Sequence, residues 1–312
     1  MRDAYLISMF IKTTIVLAAG LLLLRSLQRQ SAATRHLICL MALMSAAAVP
    51  MLALWSPHWS YFMTIPAELG DGPGSRRIVF GHWPALLTAL WAVGAVIFAV
   101  RSAGGWFVLR HARRRSSRFM TGEAAEVRIG NVSMPFTCGL LRPLIILPQT
   151  ARQWDGGRLQ VVLLHESAHV QRRDCLAKYV AHAARTVLWW NPLAWRMASR
   201  MEQEQEQACD EAVLSAGVAP ETYAKALLDS ARECSNPLLL WCAMSNSSAL
   251  RGRLEHLFAW RPESARATRK AALAIPLLLA LMCGVSCAGK RVSPSQIAPG
   301  VSTVPQARQR IR

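Results

Sequence analysis

Acidic side chains are scarce in this chain. Its 312 residues hold 18 Asp and Glu against 36 Lys and Arg, a formal net charge of +18, and charged residues make up only 17% of the total. A soluble domain carries about 25% charged residues, so an ordinary water-soluble enzyme is excluded. AVILMFWYC residues reach 53%, which excludes a disordered chain and a collagen-like fibre as well. The eight cysteines include no C-x-x-C pair, an argument against both a thiolate zinc site and a disulfide-stapled secreted fold. They read as small apolar core residues. The basic run Arg110, Arg113, Arg114, Arg115 and Arg118 lacks the aromatic or helix-turn-helix pattern of a nucleic-acid site, so no direct nucleic-acid contact is expected. The basic excess reads instead as membrane topology and attraction to anionic headgroups.

Long apolar runs, by contrast, are present. A bilayer core needs roughly 20 predominantly apolar residues per spanning helix, and four windows qualify: Ala4 to Leu24, Leu37 to Trp55, Trp83 to Val100, and Ala271 to Ala288. Pro50 is positioned to kink the second, and Trp55, Trp83 and Trp91 suit interfacial levels. The first window is followed closely by two more and shows no A-x-A cleavage site, so it is expected to be an anchor. Arg25, Arg29 and Arg35 between the first two windows place that loop in the cytoplasm. By the same rule residues 101 to 270 are cytoplasmic and both termini extracytoplasmic, although Lys290 and Arg291 vote the other way. The expected home is a bacterial-type inner membrane, crossed several times.

Within the insert, Val127 to Pro148 has short β-branched runs broken by Gly and Pro and predicts a hairpin or small sheet. Leu159 to Val180 predicts one helix and Arg196 to Ala216 another, with the tryptophan-rich WWNPLAW between. Those tryptophans, Trp189, Trp190 and Trp195, suit either a wedge at the headgroups or packing between helices.

The first helix contains His165-Glu166-Ser167-Ala168-His169, an H-E-x-x-H motif. Residues four apart share a helix face, so both imidazoles reach one ion. With this composition the pattern arises by accident in about one chain in a hundred, which makes chance a poor explanation. A catalytic zinc site needs a third protein ligand and leaves a fourth position to water. Glu206 is the best candidate, since Glu206 and Asp210 form an E-x-x-x-D pair one turn apart. In that geometry the aspartate accepts the free N–H of a ligand histidine. Glu202 and Glu211 read as a solvated helix face, and Glu204 leans the same way, because neighbouring positions point about 100° apart.

The stretches PFTCGLLRPLIILP (135 to 148), HESAHVQRRD (165 to 174), WWNPLAW (189 to 195) and EQACD (206 to 210) resemble the BlaR/MecR family of integral-membrane zinc metallopeptidases. The resemblance, with the order of spans, runs nearly to residue 290. It implies four transmembrane helices with a cytoplasmic, mainly-α (α+β) gluzincin-type domain inserted between helices 3 and 4. The spans would occupy 1–109, the metallopeptidase domain 110–270, the fourth helix 271–288, and an extracytoplasmic tail 289–312, whose composition reads as disordered. It further implies one Zn2+ held by His165, His169 and Glu206, with Glu166 as catalytic base and Asp210 behind the ligands. Asp174 matches the family pattern and reads as structural, in ion pairs with Arg172 and Arg173. Sensor members continue into a penicillin-binding domain, and only Gly289 to Arg312 follows the last span here, so a stimulus is expected from another protein, the membrane, or Ser56 to His82.

The expected activity is zinc-dependent cleavage of a cytoplasmic protein, a transcriptional repressor or the chain itself. The competing reading is a non-proteolytic receptor or scaffold stabilised by zinc. A channel has little support, since Lys12 alone is ionisable within a span. Composition leaves open the second oxyanion donor, with His182, Tyr223, Arg173 and Arg185 as candidates, and gives no oligomeric state. His256 reads as an exposed or capping residue of the LRGRLEHLF helix.

Overall fold

The computed structural model describes residues 2–28, 30–55, 83–121, 125–233 and 250–261. Three long helices come first: α1 (Arg2–Ser26), α2 (Ala32–Trp55) and α3 (Trp83–Arg115). Met9–Ser26, Ala32–Pro50 and Thr88–Arg115 within them are long and apolar enough to cross a bilayer. The fourth expected span, the loop 56–82 and the tail 289–312 lie outside the described residues. α3 stays helical well past Val100, where its apolar run ends, and finishes in Arg113, Arg114 and Arg115. Cations there face the negative end of the helix dipole.

The chain then forms a four-stranded sheet of β1 (Ser117–Thr121), β2 (Glu126–Gly130), β3 (Phe136–Cys138) and β4 (Leu144–Pro148), in the order β1-β2-β4-β3. It is a mixed sheet: β2 pairs parallel with β4, and β3 pairs antiparallel with β4 at the edge. All five residues of β4 are buried. Ile145 and Leu147 pack with Val127, Ile129 and Val162, while Leu144 and Ile146 pack with Cys138 and Leu109 on the other face. Cover on both faces explains why LIILP is uninterruptedly apolar rather than alternating.

A 3-10 turn (Gln149–Gln153) leads to α4 (Gly156–Gln171), α5 (Asp174–Val187), α6 (Pro192–Ser215) and α7 (Pro220–Glu233), and residues 250–259 form α8. Asp155 caps α4 by accepting the Arg158 N–H at 2.8 Å, and Asn191 caps α6 by accepting that of Leu193 at 3.0 Å, with Pro192 in the first turn. The single helix expected over Leu159 to Val180 is therefore two. They part at Arg173, whose φ of 56° lies in the left-handed region, at a cost of roughly 1–2 kcal/mol. This turn starts α5 at Asp174, within 2.8 Å of His169, and that buried charge-assisted hydrogen bond offsets the strain.

One apolar core joins the membrane helices to the helices behind the motif. Leu17 of α1, Ile38 and Leu43 of α2, Ala181 of α5, and Met197 and Met201 of α6 belong to it. Beside it sits a buried ion pair that changes two sequence readings. Glu204 has no exposed surface and meets Arg35 Nε and Arg200 Nη2, each at 2.7 Å. Glu204 is thus not on a solvated face, and Arg35 is part of α2, not a loop cation. Glu202 stays half-exposed and bonds Arg185 at 3.2 Å. Glu211 accepts from the Ala32 N–H at 3.3 Å and meets His256 at 3.1 Å, so it ties α2, α6 and α8 together rather than facing solvent.

The tryptophans after α5 clasp α1 and α3. Trp190 stacks on Phe10 of α1 at 4.6 Å. The Trp189 indole donates to the Trp91 carbonyl at 3.1 Å, and the Trp91 indole to the Val187 carbonyl at 3.0 Å. Asn191 Nδ2 reaches Thr14 Oγ1 at 3.2 Å. Inter-helix packing therefore accounts for Trp189 and Trp190.

Candidate metal centre and active site

α4 and α6 lie side by side, with His165 and His169 one turn apart on α4 and Glu206 facing them from α6. His165 Nε2 is 3.6 Å from Glu206 Oε2, and His169 Nε2 is 3.7 Å from Glu206 Oε1. Zinc–ligand bonds of about 2.0–2.1 Å give a tetrahedral edge of about 3.3–3.4 Å. Each histidine nitrogen thus stands within a few tenths of an ångström of the separation from a glutamate oxygen that one tetrahedral ion requires, and all three ligand atoms lie within 4.8 Å of one another. Glu204 points to the opposite face of α6, into its ion pair.

Hydrogen bonds behind the ligands fix which ring nitrogen is free. His169 Nδ1 donates to Asp174 Oδ2 at 2.8 Å, leaving Nε2 unprotonated toward Glu206. The Cys209 thiol also donates to Asp174, at 3.5 Å. On the other side the Tyr223 hydroxyl donates to Asp210 Oδ1 and lies 2.8 Å from His165 Nδ1. A carboxylate only accepts, so the tyrosine proton goes to Asp210 and His165 Nδ1–H donates to the tyrosine oxygen. Its Nε2 is then the free lone pair. Both imidazoles present the same nitrogen, as metal-binding histidines with a hydrogen-bonded second nitrogen do. Asp210 serves His165 through Tyr223, its own oxygen being 3.4 Å from Nδ1. Asp174, read as structural from the sequence, orients His169.

Arg253 of α8 completes the arrangement. Its Nε donates to Asp210 Oδ2 at 2.9 Å and its Nη2 to Oδ1 at 2.6 Å, while Nη1 lies 3.2 Å from Glu206 Oε2. Burial works against charge on Glu206, but His165 and Arg253 outweigh it and hold the carboxyl well below the usual range. Burial likewise opposes charge on His165, and the Glu206 and Asp210 carboxylates overcome it and raise its pKa. Tyr223 is pushed well above its ordinary value by burial and by Asp210 beside it. The sequence reading missed Arg253, because the residues it serves lie more than forty positions away and a lone arginine in a helix carries no motif.

The histidines, Glu166, Glu206, Tyr223 and Arg253 line a cleft of about 260 Å³ together with Pro135, Phe136 and Thr137 of the edge-strand region. Glu166 is buried, and the Thr137 hydroxyl donates to its Oε2 at 2.7 Å. Of the four oxyanion candidates only Tyr223 lines this cleft. His182 and Arg185 line a neighbouring cavity, and Arg173 is exposed at the α4–α5 turn.

Comparison with known proteins agrees with this geometry. Residues 76–257, more than half of the chain, match the family described as BlaR1 peptidase M56. The chain is 39% identical over 83 residues to the regulatory protein BlaR1 of Bacillus licheniformis, and 26% identical over 85 residues to the methicillin resistance mecR1 protein of Staphylococcus aureus. Each aligned stretch is 27% of this chain and 14% of the relative, so the likeness spans a small part of those longer proteins. A family of metallopeptidases, a match covering the whole of α4 to α7, and an H-E-x-x-H helix facing a glutamate lead to one assignment: this chain belongs to the BlaR1 peptidase M56 family.

Proposed function

We propose that the protein is a membrane-embedded zinc endopeptidase whose metal ligands are His165, His169 and Glu206 and whose general base is Glu166. One observation carries this reading: the Nε2 atoms of two histidines, each with its Nδ1 hydrogen-bonded, and a carboxylate converge at 3.6 and 3.7 Å in a cleft that Glu166 also lines. Zinc bound there supplies Lewis-acid polarisation and makes a water molecule acidic enough to lose a proton near neutral pH.

The chain's own groups do the rest. Thr137 holds one oxygen of Glu166, leaving the other to take the proton and later to deliver it to the leaving amine. Tyr223 is committed to Asp210, and the buried Arg253 guanidinium, which lines the same cleft, is the cation there that favours a developing oxyanion. β3 is the sheet edge beside the cleft, and a substrate segment laid along it as an added strand brings its backbone carbonyl to the site.

The catalytic unit lies in the cytoplasm, below four spans with both termini outside, and the basic end of α3 supports this orientation. Its substrate is a cytoplasmic protein, a transcriptional repressor or its own chain, and its natural setting is signal-linked relief of repression. Glu166→Gln tests the reading. The variant retains stoichiometric zinc and loses cleavage by about 10²-fold or more. Undiminished cleavage would remove Glu166 as the base, and relief of repression that persists in the variant without cleavage would leave the zinc-stabilised receptor or scaffold as the account.

A further inference from the structure

The metal cleft continues beyond its candidate ligands. A neighbouring cavity of about 830 Å³ shares four wall residues with it, Phe136 and Thr137 of β3 and Cys175 and Lys178 of α5, so the two spaces meet along the edge strand. Thr137 reaches Glu166 on the cleft side, and Gly139, two residues further on, lines the cavity and not the cleft. Two residues of extended chain advance about 7 Å. A segment added along β3 at the cleft therefore carries its next few side chains past the cavity wall.

The charges on that wall are of one sign. No acidic residue lines the cavity, whereas Arg101 of α3 and Lys178, His182 and Arg185 of α5 do. Arg185 is occupied by Glu202 at 3.2 Å. Asp174, one turn before Lys178, is taken by His169 and Arg172. Arg101 and Lys178 make no hydrogen bond or ion pair with any described residue. Lys178 is exposed and stands where cleft and cavity meet. A basic side chain passing there is repelled and a neutral one leaves both cations unpaired, whereas a carboxylate pairs with them.

We propose that Lys178, helped by Arg101, selects substrates with an acidic side chain within about three residues of the scissile bond, on the flank that runs toward the cavity. Antiparallel addition to β3 puts that flank before the bond, and parallel addition puts it after. The inference rests on the hydrolytic reading for what the cleft does and adds the class of segment it takes.

The test uses the full zinc-loaded chain carrying Glu166→Gln in phosphatidylcholine nanodiscs, so that binding is read without turnover. Fluorescein-labelled decapeptides of Ala and Ser around a central Leu carry one Glu, Gln or Lys at each of the three positions on either flank, and affinity is read by anisotropy. On one flank Glu binds about fivefold more tightly than Gln, as a partly exposed ion pair allows, and Lys binds more weakly than either. Lys178→Glu reverses this order, Lys178→Arg keeps it, and Arg101→Glu, on a separate helix, shifts it in the same direction as Lys178→Glu. Unchanged zinc content shows that the site of each variant is intact. Equal affinity for Glu and Gln, an equal gain on both flanks, or an unchanged order in both charge-reversed variants overturns the proposal. A Glu preference that disappears when the nanodiscs contain phosphatidylglycerol overturns it in favour of a lipid headgroup. Cleavage of the same peptides by the parent chain is a separate readout: its absence strikes the hydrolytic reading, while charge-dependent binding still decides the role of Lys178.

Discussion

Asp174 and Asp210 do for the two histidines what neither histidine achieves alone. Each imidazole has two nitrogens, and only a partner on Nδ1 leaves Nε2 free for a metal. Asp174 supplies that partner to His169 directly, and Asp210 supplies it to His165 through Tyr223. Asp174→Asn is expected to lower zinc affinity by about 10- to 100-fold, as measured by competition with a chromogenic chelator; an unchanged affinity would show that His169 needs no such partner. The H-E-x-x-H spacing and the Glu206–Asp210 pair were legible because helix periodicity is local. Tyr223, Arg253 and the role of Asp174 were not, since each depends on where separate elements meet. Glu204 makes the same point: its partner Arg35 is 169 residues away, and only the packing of α2 on α6 buries them both.

At the scale of elements, the clasp between α3 and the end of α5 fixes α3 against the helices of the candidate site. Gly94 makes it possible, because a Cβ there would lie against the Trp189 ring. Gly94→Ala is expected to cost about 1–3 kcal/mol through overpacking, read as a lowered midpoint in detergent. In a Trp189→Ala background the same substitution should cost nothing, and a persistent penalty there would place the cause outside this contact.

A second tie lies at the far end of α7, where Glu233 accepts from Arg158 at 2.5 Å, Thr150 at 3.0 Å and Trp154 at 3.3 Å. Burial pushes the Glu233 pKa up, but the hydrogen bonds from Arg158, Thr150 and Trp154 and the Arg158 charge together outweigh it and set it below the usual value. A depressed carboxyl stabilises the fold above its unfolded pKa of about 4.3 and loses that contribution as pH falls through the folded value. Glu233→Gln should thus be less stable than the parent at pH 7 by no more than about 1 kcal/mol, given its partial exposure. At pH 3 the gap should narrow, and a gap that widens in acid would contradict the sign. The break between α4 and α5 left no mark in the sequence, because neither Gly nor Pro stands there and Arg173 adopts its left-handed conformation in response to the Asp174 contact. The parallel pairing of β2 with β4 was equally hidden, since apolar content in LIILP tells of burial and not of strand direction.

At the scale of the molecule, among the described residues, the helices long and apolar enough to cross a bilayer and those of the candidate metal site share a core. Leu17, Ile38 and Leu43 pack against Met197 and Met201, and α6, whose far face carries Glu206, is thereby held by α1 and α2.

The most direct measurement is the zinc-to-protein ratio of the full chain purified in detergent, compared with Glu206→Ala and Glu204→Ala. The account predicts about one zinc in the parent and in Glu204→Ala, and near-total loss in Glu206→Ala after dialysis against a mild chelator. Stoichiometric zinc retained in Glu206→Ala would contradict it.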